Sequence, residues 1–318
     1  MHRCGAISFR SFLPGFLTAL FFLSGTLLHA EKLHVPPETH EAIRLIFSGE
    51  TDRAIEIAHG IQEAQPEHPA GYLLEANALW WKFYCEACEI KWNLVDAWKR
   101  SKISTDEQYL KLADRAIQLA ESSIKRQDSA EMRIYAGMAW ALRARLHGLR
   151  DEKQATARSG VKARAHFLRA SELDPSLGDA YTGLGLYNYY ADALSPFVKF
   201  LRFFLGIPGG SKKEGLRQLE IGMKSGELTR EEARFYAAKC LRNYDQKYEQ
   251  AIQLLRPLVE EYPQNAVFHL LLGDFYAKLR RNEQATEQYQ AARNAAAGDS
   301  LCARRVRQLV HQALTLLR

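Results

Sequence analysis

Two cysteines three residues apart, Cys85 and Cys88, are the side chains of this 318-residue sequence best spaced for chemistry. A C-x-x-C pair can exchange with another thiol pair, supply half of a zinc site, or take part in a structural disulfide. Each use makes demands on the surroundings. Redox pairs sit at a helix N-terminus, which lowers the first thiol's pKa. Here Trp80, Trp81, Phe83, Tyr84 and Trp92 place both cysteines inside a long apolar helix instead. Glu89 follows Cys88, so the haem-attachment pattern C-x-x-C-H is not met. Zinc would need two further ligands that no spacing identifies. Packing or a structural disulfide is the expected role, with Cys240 and Cys302 as core or cap residues.

Three other patterns invite a chemical reading. Gly206-Ile207-Pro208-Gly209-Gly210-Ser211-Lys212 has the composition of a phosphate loop, but that loop needs Gly-Lys-Ser/Thr between a strand and a helix. No strand is expected before it. Gly183 and Gly185 open a G-x-G run in which Asn188 takes the third glycine position, and the helical surroundings make close helix packing the better explanation. His40-Glu41 lacks the second histidine of a zinc-protease helix. No catalytic residue, cofactor or metal is assigned, and the sequence predicts a protein that is not an enzyme.

Residues 191–211 read as an inserted amphipathic segment. Ser195 can cap a helix with Pro196 at its first position and Gly206 at its end, about ten residues or ~15 Å long, too short to span a bilayer. Phe197, Phe200, Leu201 and Phe204 fall at i, i+3, i+4 and i+7 on one face, widened by Val198 and Leu205, with Lys199 and Arg202 opposite. That face either packs on neighbouring helices or meets a partner or a membrane surface, where basic residues beside aromatic ones suit anionic lipid.

The elements that must position these residues repeat. Leu272, Gly273 and Tyr276 are followed by Ala285, Tyr289 and Ala292, and Ala251, Leu255 and Leu258 stand 34 residues before the last three. A 34-residue period, with small residues where two helices cross and a bulky one beside them, describes stacked helix pairs. Gly49, Ala54, Ala58, Ile61 and Pro66 mark a degenerate first pair, and a long helix from Ala70 to Trp98 pairs with one from Asp106 to Lys125. Residues 129–148 and 153–172 make the third, with Ala163, Phe167, Ala170 and Pro175 in place. The fourth opens with Tyr181, Leu184 and Gly185, carries Asn188 where Tyr is usual, and resumes near Lys213. The fifth, 229–261, places Lys239 at a position that is ordinarily small. Beyond the sixth, Leu301, Val306, Leu309, Val310 and Leu314 alternate with Arg304, Arg305 and Arg307 in a polar-faced capping helix over 299–317.

On these motifs the chain resembles tetratricopeptide-repeat proteins over most of its length, most specifically at residues 155–190 and 246–296. The resemblance implies an all-α, right-handed superhelical solenoid of about six helix pairs with a C-terminal cap. It also implies a non-enzymatic scaffold whose concave groove holds a protein or peptide, with Tyr187, Asn188, Tyr189 and Tyr190 as candidate lining residues. The run GLGLYNYYADALSPFVKFLRFFLGIPGGSKKEGLRQL is similar to the tetratricopeptide family of outer-membrane-associated proteins linked to inclusion-body and lipid-droplet clearance. In that family an apolar stretch, a Gly-rich turn and a following helix interrupt the repeats in the same way. That likeness implies an adaptor near membrane or lipid, acting through residues 196–205, and names no catalytic residue.

Residues 1–30 carry His2, Arg3 and Arg10 with no acid, an apolar stretch from Phe12 to Leu28, and Leu28-His29-Ala30 before Glu31. This reads as a cleavable signal peptide, with an uncleaved N-terminal anchor as the alternative. The expected location is exported: periplasmic or secreted, or associated with the cell envelope. Loss of Arg3 and Arg10 takes the formal charge from +6 to +4. Because Lys and Arg interleave with Glu and Asp along nearly every expected helix, nucleic acid is excluded as a partner. One elongated domain is expected over 31–318.

Overall fold

A computed structural model of the chain describes residues 33–91, 94–194, 199 and 206–317. The expected leader and its expected cleavage site lie outside these residues, as do Phe197, Phe200, Leu201 and Phe204 of the inserted segment. Six helix pairs follow one another: α1 (Thr39–Ser48) with α2 (Thr51–Ala64), α3 (Ala70–Ala87) with α4 (Thr105–Arg126), α5 (Ala130–Leu149) with α6 (Lys153–Leu173), α7 (Gly178–Ala193) with α8 (Lys212–Ser225), α9 (Arg230–Tyr244) with α10 (Tyr248–Glu261), and α11 (Ala266–Lys278) with α12 (Asn282–Ala295). The capping helix α13 (Leu301–Leu316) closes the series.

Local chemistry sets many of the boundaries. Gly49 ends α1 with φ at 87°, a left-handed conformation that costs glycine little. Ser129, Asn265 and Ser300 cap α5, α11 and α13, each side-chain oxygen accepting a backbone N–H of the first turn. Between paired helices the small residues work as expected. A Cβ placed on Gly183 would lie 2.0 Å from the Phe167 ring, and one on Gly185 would lie 2.8 Å from the Gly215 carbonyl oxygen. The G-x-G run is therefore a close helix contact between α7 and its neighbours α6 and α8.

The second pair departs from the expected form. The helix predicted to run to Trp98 stops at Ala87, where Cys88 turns to extended backbone at φ −61° and ψ 134°. A two-stranded antiparallel hairpin follows, β1 (Cys88–Lys91) with β2 (Leu94–Ala97), in the register Cys88↔Ala97 and Ile90↔Val95. Side chains far along the chain dictate this. Asp96 accepts hydrogen bonds from Tyr84 Oη at 2.9 Å and Asn243 Nδ2 at 2.7 Å, and pairs with Lys239 Nζ at 2.7 Å. The Val95 N–H donates to Asp274, which in turn pairs with Arg242. Lys239, out of place in a small-residue position, is thus the counter-charge of a strand that fills the space beside it.

α3 is apolar and buried over most of its surface, with Lys82 reaching out to Asp52 at 2.6 Å. Trp81 packs its ring against Phe47 of α1, Phe235 of α9 and Phe268 of α11, and Trp80 Nε1 donates to Tyr236 Oη at 3.1 Å. Asn265 Nδ2 donates to the Phe47 carbonyl at 2.7 Å. The first two pairs therefore pack against the last two, and a disulfide joins Cys85 of α3 to Cys302 of α13 across 217 residues. Cys85 and Cys88 are not partners. Cys88 is a buried free thiol in β1, with its pKa pushed up to about 12 by burial.

Candidate functional site

The first helix of each pair faces inward. Along α9 and α11 that inner face is occupied by α3 and the hairpin, so a groove running the length of the repeats does not persist there. Along α1, α3, α5 and α7 a narrow crevice of about 50 Å³ remains, lined also by Leu228 and Thr229 before α9 and by Glu232 in its first turn. Its walls are Ile43, Leu73, Leu74, Leu142, Phe167 and Leu228, together with the half-buried Asn77, Met138, Ala141 and Leu186.

Two charged groups on the wall are already satisfied. Arg145 forks onto both carboxylate oxygens of Glu232, one contact at 2.8 Å. Burial opposes the guanidinium charge, yet Glu232 holds its pKa above the ordinary arginine value. Asp179 accepts from the Glu227 and Leu228 N–H groups at 2.9 and 2.8 Å and from Thr229 Oγ1 at 2.8 Å. Its pKa is raised, because burial outweighs those donors.

Three neutral groups in the same crevice differ. Thr39 Oγ1, Asn77 Oδ1 and Tyr135 Oη are buried and have no hydrogen-bond partner among the described residues. Buried polar atoms in folded proteins are nearly always paired, so three exceptions in one place mark it out. None was singled out from the sequence. Gly137 and its partner Phe167 fix the register of α5, and from that register Met138, Ala141 and Arg145 could have been placed on the inner face.

The predicted lining residues lie elsewhere. Tyr187 Oη donates to the Pro208 carbonyl at 2.9 Å, and Asn188 Nδ2 donates to Gln218 Oε1 at 2.8 Å. Tyr189 is fully buried, its hydroxyl donating to the Cys240 carbonyl at 2.9 Å. Tyr190 is half-buried, edge-on to Tyr189 and to the exposed Tyr244. These four brace α7 against α8, α9 and the 206–211 turn, and the structure does not bring them to the crevice. Among the described residues no group of three His, Cys, Asp or Glu side chains is placed to hold a metal, and no helix is long and apolar enough to cross a membrane.

Residues 244–309, from the end of α9 into α13, match the family model of the tetratricopeptide repeat. No curated protein matches the chain. Among solved structures, the chain is similar to YrrB, described as a TPR protein with an unusual peptide-binding site, at 19% identity over 80% of this chain and 100% of that one, with a TM-score of 0.34. It is also similar to the C-terminal part of a TPR repeat-containing protein from Cytophaga hutchinsonii, at 13% identity over 81% and 79% of the two chains, with a TM-score of 0.36. A third likeness is to the APC/C hetero-tetramer Cut9–Hcn1, at 13% identity over 87% of this chain and 48% of that one, with a TM-score of 0.36. Paired helices throughout the described residues make this an all-α repeat fold, and its residues 244–309 match the tetratricopeptide-repeat model.

Proposed function

We propose that the chain is a non-enzymatic scaffold that binds an extended segment of a protein or peptide at the inner face of its first four helix pairs. The observation that carries this reading is the crevice between α1, α3, α5 and α7, whose lining includes the half-buried Asn77, Met138, Ala141 and Leu186. Repeat proteins of stacked helix pairs use such inner surfaces to hold partners. The reading includes an exported location, periplasmic or secreted. The Cys85–Cys302 bond supports it, because disulfides persist in oxidising compartments.

The test is retention of peptides from a random pool by the immobilised chain, compared with an Ala141→Leu variant that narrows the crevice. Peptides held by the parent and released by the variant, at equal thermal stability, are the expected result. Equal retention by both would move the binding surface away from the crevice. Retention of anionic vesicles with no peptide would replace the reading with a membrane-surface one.

A further inference from the structure

We infer that the outer groove between α4 and α6 docks a short acidic segment of a partner protein, with Lys153, Arg158 and Lys162 as its counter-charges. This surface is separate from the crevice. On α5 the crevice uses Met138, Ala141, Leu142 and Arg145. The floor of the groove is formed by Trp140, Arg143, His147 and Arg150, at i, i+3, i+7 and i+10 on the other side of the same helix.

Charge distribution is the first argument. Residues 130–173 carry nine Lys and Arg against four Asp and Glu. That excess of five, taken with Arg3 and Arg10, exceeds the net +6 of the whole chain, so the remaining residues are acidic on balance. The excess centres on α6, where Lys153, Arg158, Lys162, Arg164 and Arg169 precede the one acid, Glu172.

Pairing is the second. The acids around the groove are already matched: Arg150 forks onto Asp106 at 2.6 and 2.7 Å, Arg143 pairs with Asp114, and Glu152 is shared by Lys102 and His147. Glu121 accepts from Trp140 Nε1 at 3.2 Å. Of the α6 bases, Arg169 pairs with Asp128 and Glu172, and Arg164 lies over the Tyr187 ring of α7. Lys153, Arg158 and Lys162 are exposed and meet no carboxylate among the described residues. Lys162 Nζ lies instead 4.1 Å from the centre of the half-buried Trp140 ring.

Shape is the third. The groove opens to about 500 Å³ between Leu110 of α4, Leu146 of α5 and Ala155 of α6, with Lys153 and Arg158 also lining it and Lys162 one turn beyond. From Lys153 to Lys162 the helix rises about 13.5 Å. About five residues of extended chain cover that length. Next to this strip α4 carries its own acids, Glu107, Asp114 and Glu121, so a long polyanion such as a phosphate backbone or an anionic membrane gains nothing beyond it. A short acidic peptide ends where the positive charge ends.

The test titrates acetyl-Glu-Gly-Glu-Gly-Glu-amide, and its counterpart with Gln for Glu, into the isotope-labelled chain at low salt, followed by NMR. The Glu peptide is expected to shift amides of α4, α5 and α6 saturably and to bind about tenfold more tightly than the Gln peptide, the factor that a few exposed charge pairs supply together. Salt at about 1 M should remove the difference. Arg158→Gln with Lys162→Gln should weaken the Glu peptide about fivefold without lowering the melting temperature, since neither base has a carboxylate partner to lose. Arg256→Gln with Arg293→Gln removes the same charge from exposed positions of α10 and α12, and should leave the affinity unchanged. Equal binding of the two peptides, shifts confined to other helices, or equal losses in the two double variants would overturn the inference. So would tighter binding of a thymidine oligonucleotide of equal charge, or of phosphatidylglycerol vesicles, than of the Glu peptide. The comparison of the two peptides on the parent chain needs no variant and decides the question by itself.

Discussion

Asp96 shows what a single side chain does inside this fold. It is buried, which by itself would raise its pKa, but the charges of Lys239 and Arg242 and hydrogen bonds from Lys239 and Asn243 hold the carboxyl below its ordinary value of 3.8. A folded-state pKa below the unfolded one means stabilisation that is complete above about 3.8 and lost as pH falls through the lower folded value. Asp179 has the opposite sign. Its raised pKa means that the folded state holds the proton more tightly, so its contribution falls as pH rises from 3.8 through the folded value. Asp96→Asn should cost about 3–5 kcal/mol at pH 7, because Lys239 is left buried without its counter-charge while Arg242 keeps only Asp274. Urea unfolding from pH 2 to 7 would show it, with the gap between parent and variant closing at the acid end.

Helix pairs are the scale at which the sequence was most legible. The predicted start near Lys213 is observed at Lys212, and the predicted helix from Asp106 to Lys125 runs Thr105–Arg126. Small-residue spacing and caps are local signals, and local signals survive into the fold. The hairpin was not legible, because Ile90 and Val95 read as helical residues until Lys239, Asn243 and Asp274 from the fifth and sixth pairs lie beside them. The crevice was missed for the same reason: Thr39, Asn77 and Tyr135 belong to three different helices, and only their stacking makes them neighbours. Close contact between α7 and α8 is testable at Gly185, where a side chain would meet the Gly215 carbonyl at 2.8 Å and Leu219 at 2.9 Å. Gly185→Val should destabilise by about 1–3 kcal/mol through overpacking, read as a lower melting temperature.

Across the whole array, long-range ties add to the nearest-neighbour stacking that stabilises such arrays. Cys85–Cys302 encloses 217 residues, and Phe47, Trp81, Phe235 and Phe268 form one aromatic core from helices of the first, second, fifth and sixth pairs. Cys302→Ser should therefore lower stability by about 5.4 kcal/mol on the chain-entropy account of loop closure. A reducing agent should lower the melting temperature of the parent and leave that variant unchanged. An equal response to reductant in both proteins would place the lost stability elsewhere. Cys88 and Cys240 should stay unalkylated in the folded state, since both thiols are buried with their pKa pushed up to about 12.

The same bond sets an order of events during synthesis. Cys85 emerges 217 residues before Cys302, a wait of roughly 10–40 s at ordinary elongation rates. Throughout that interval the nearest thiol along the chain is Cys88, three residues away. The strand that later draws Cys88 into the interior is anchored by Lys239, Asn243 and Asp274, which are themselves late arrivals. Correct pairing is therefore a matter of timing as well as of stability. A nascent chain that meets an oxidant early closes the short Cys85–Cys88 loop first, and reaches its mature form only when Cys302 arrives and exchange hands Cys85 over to it.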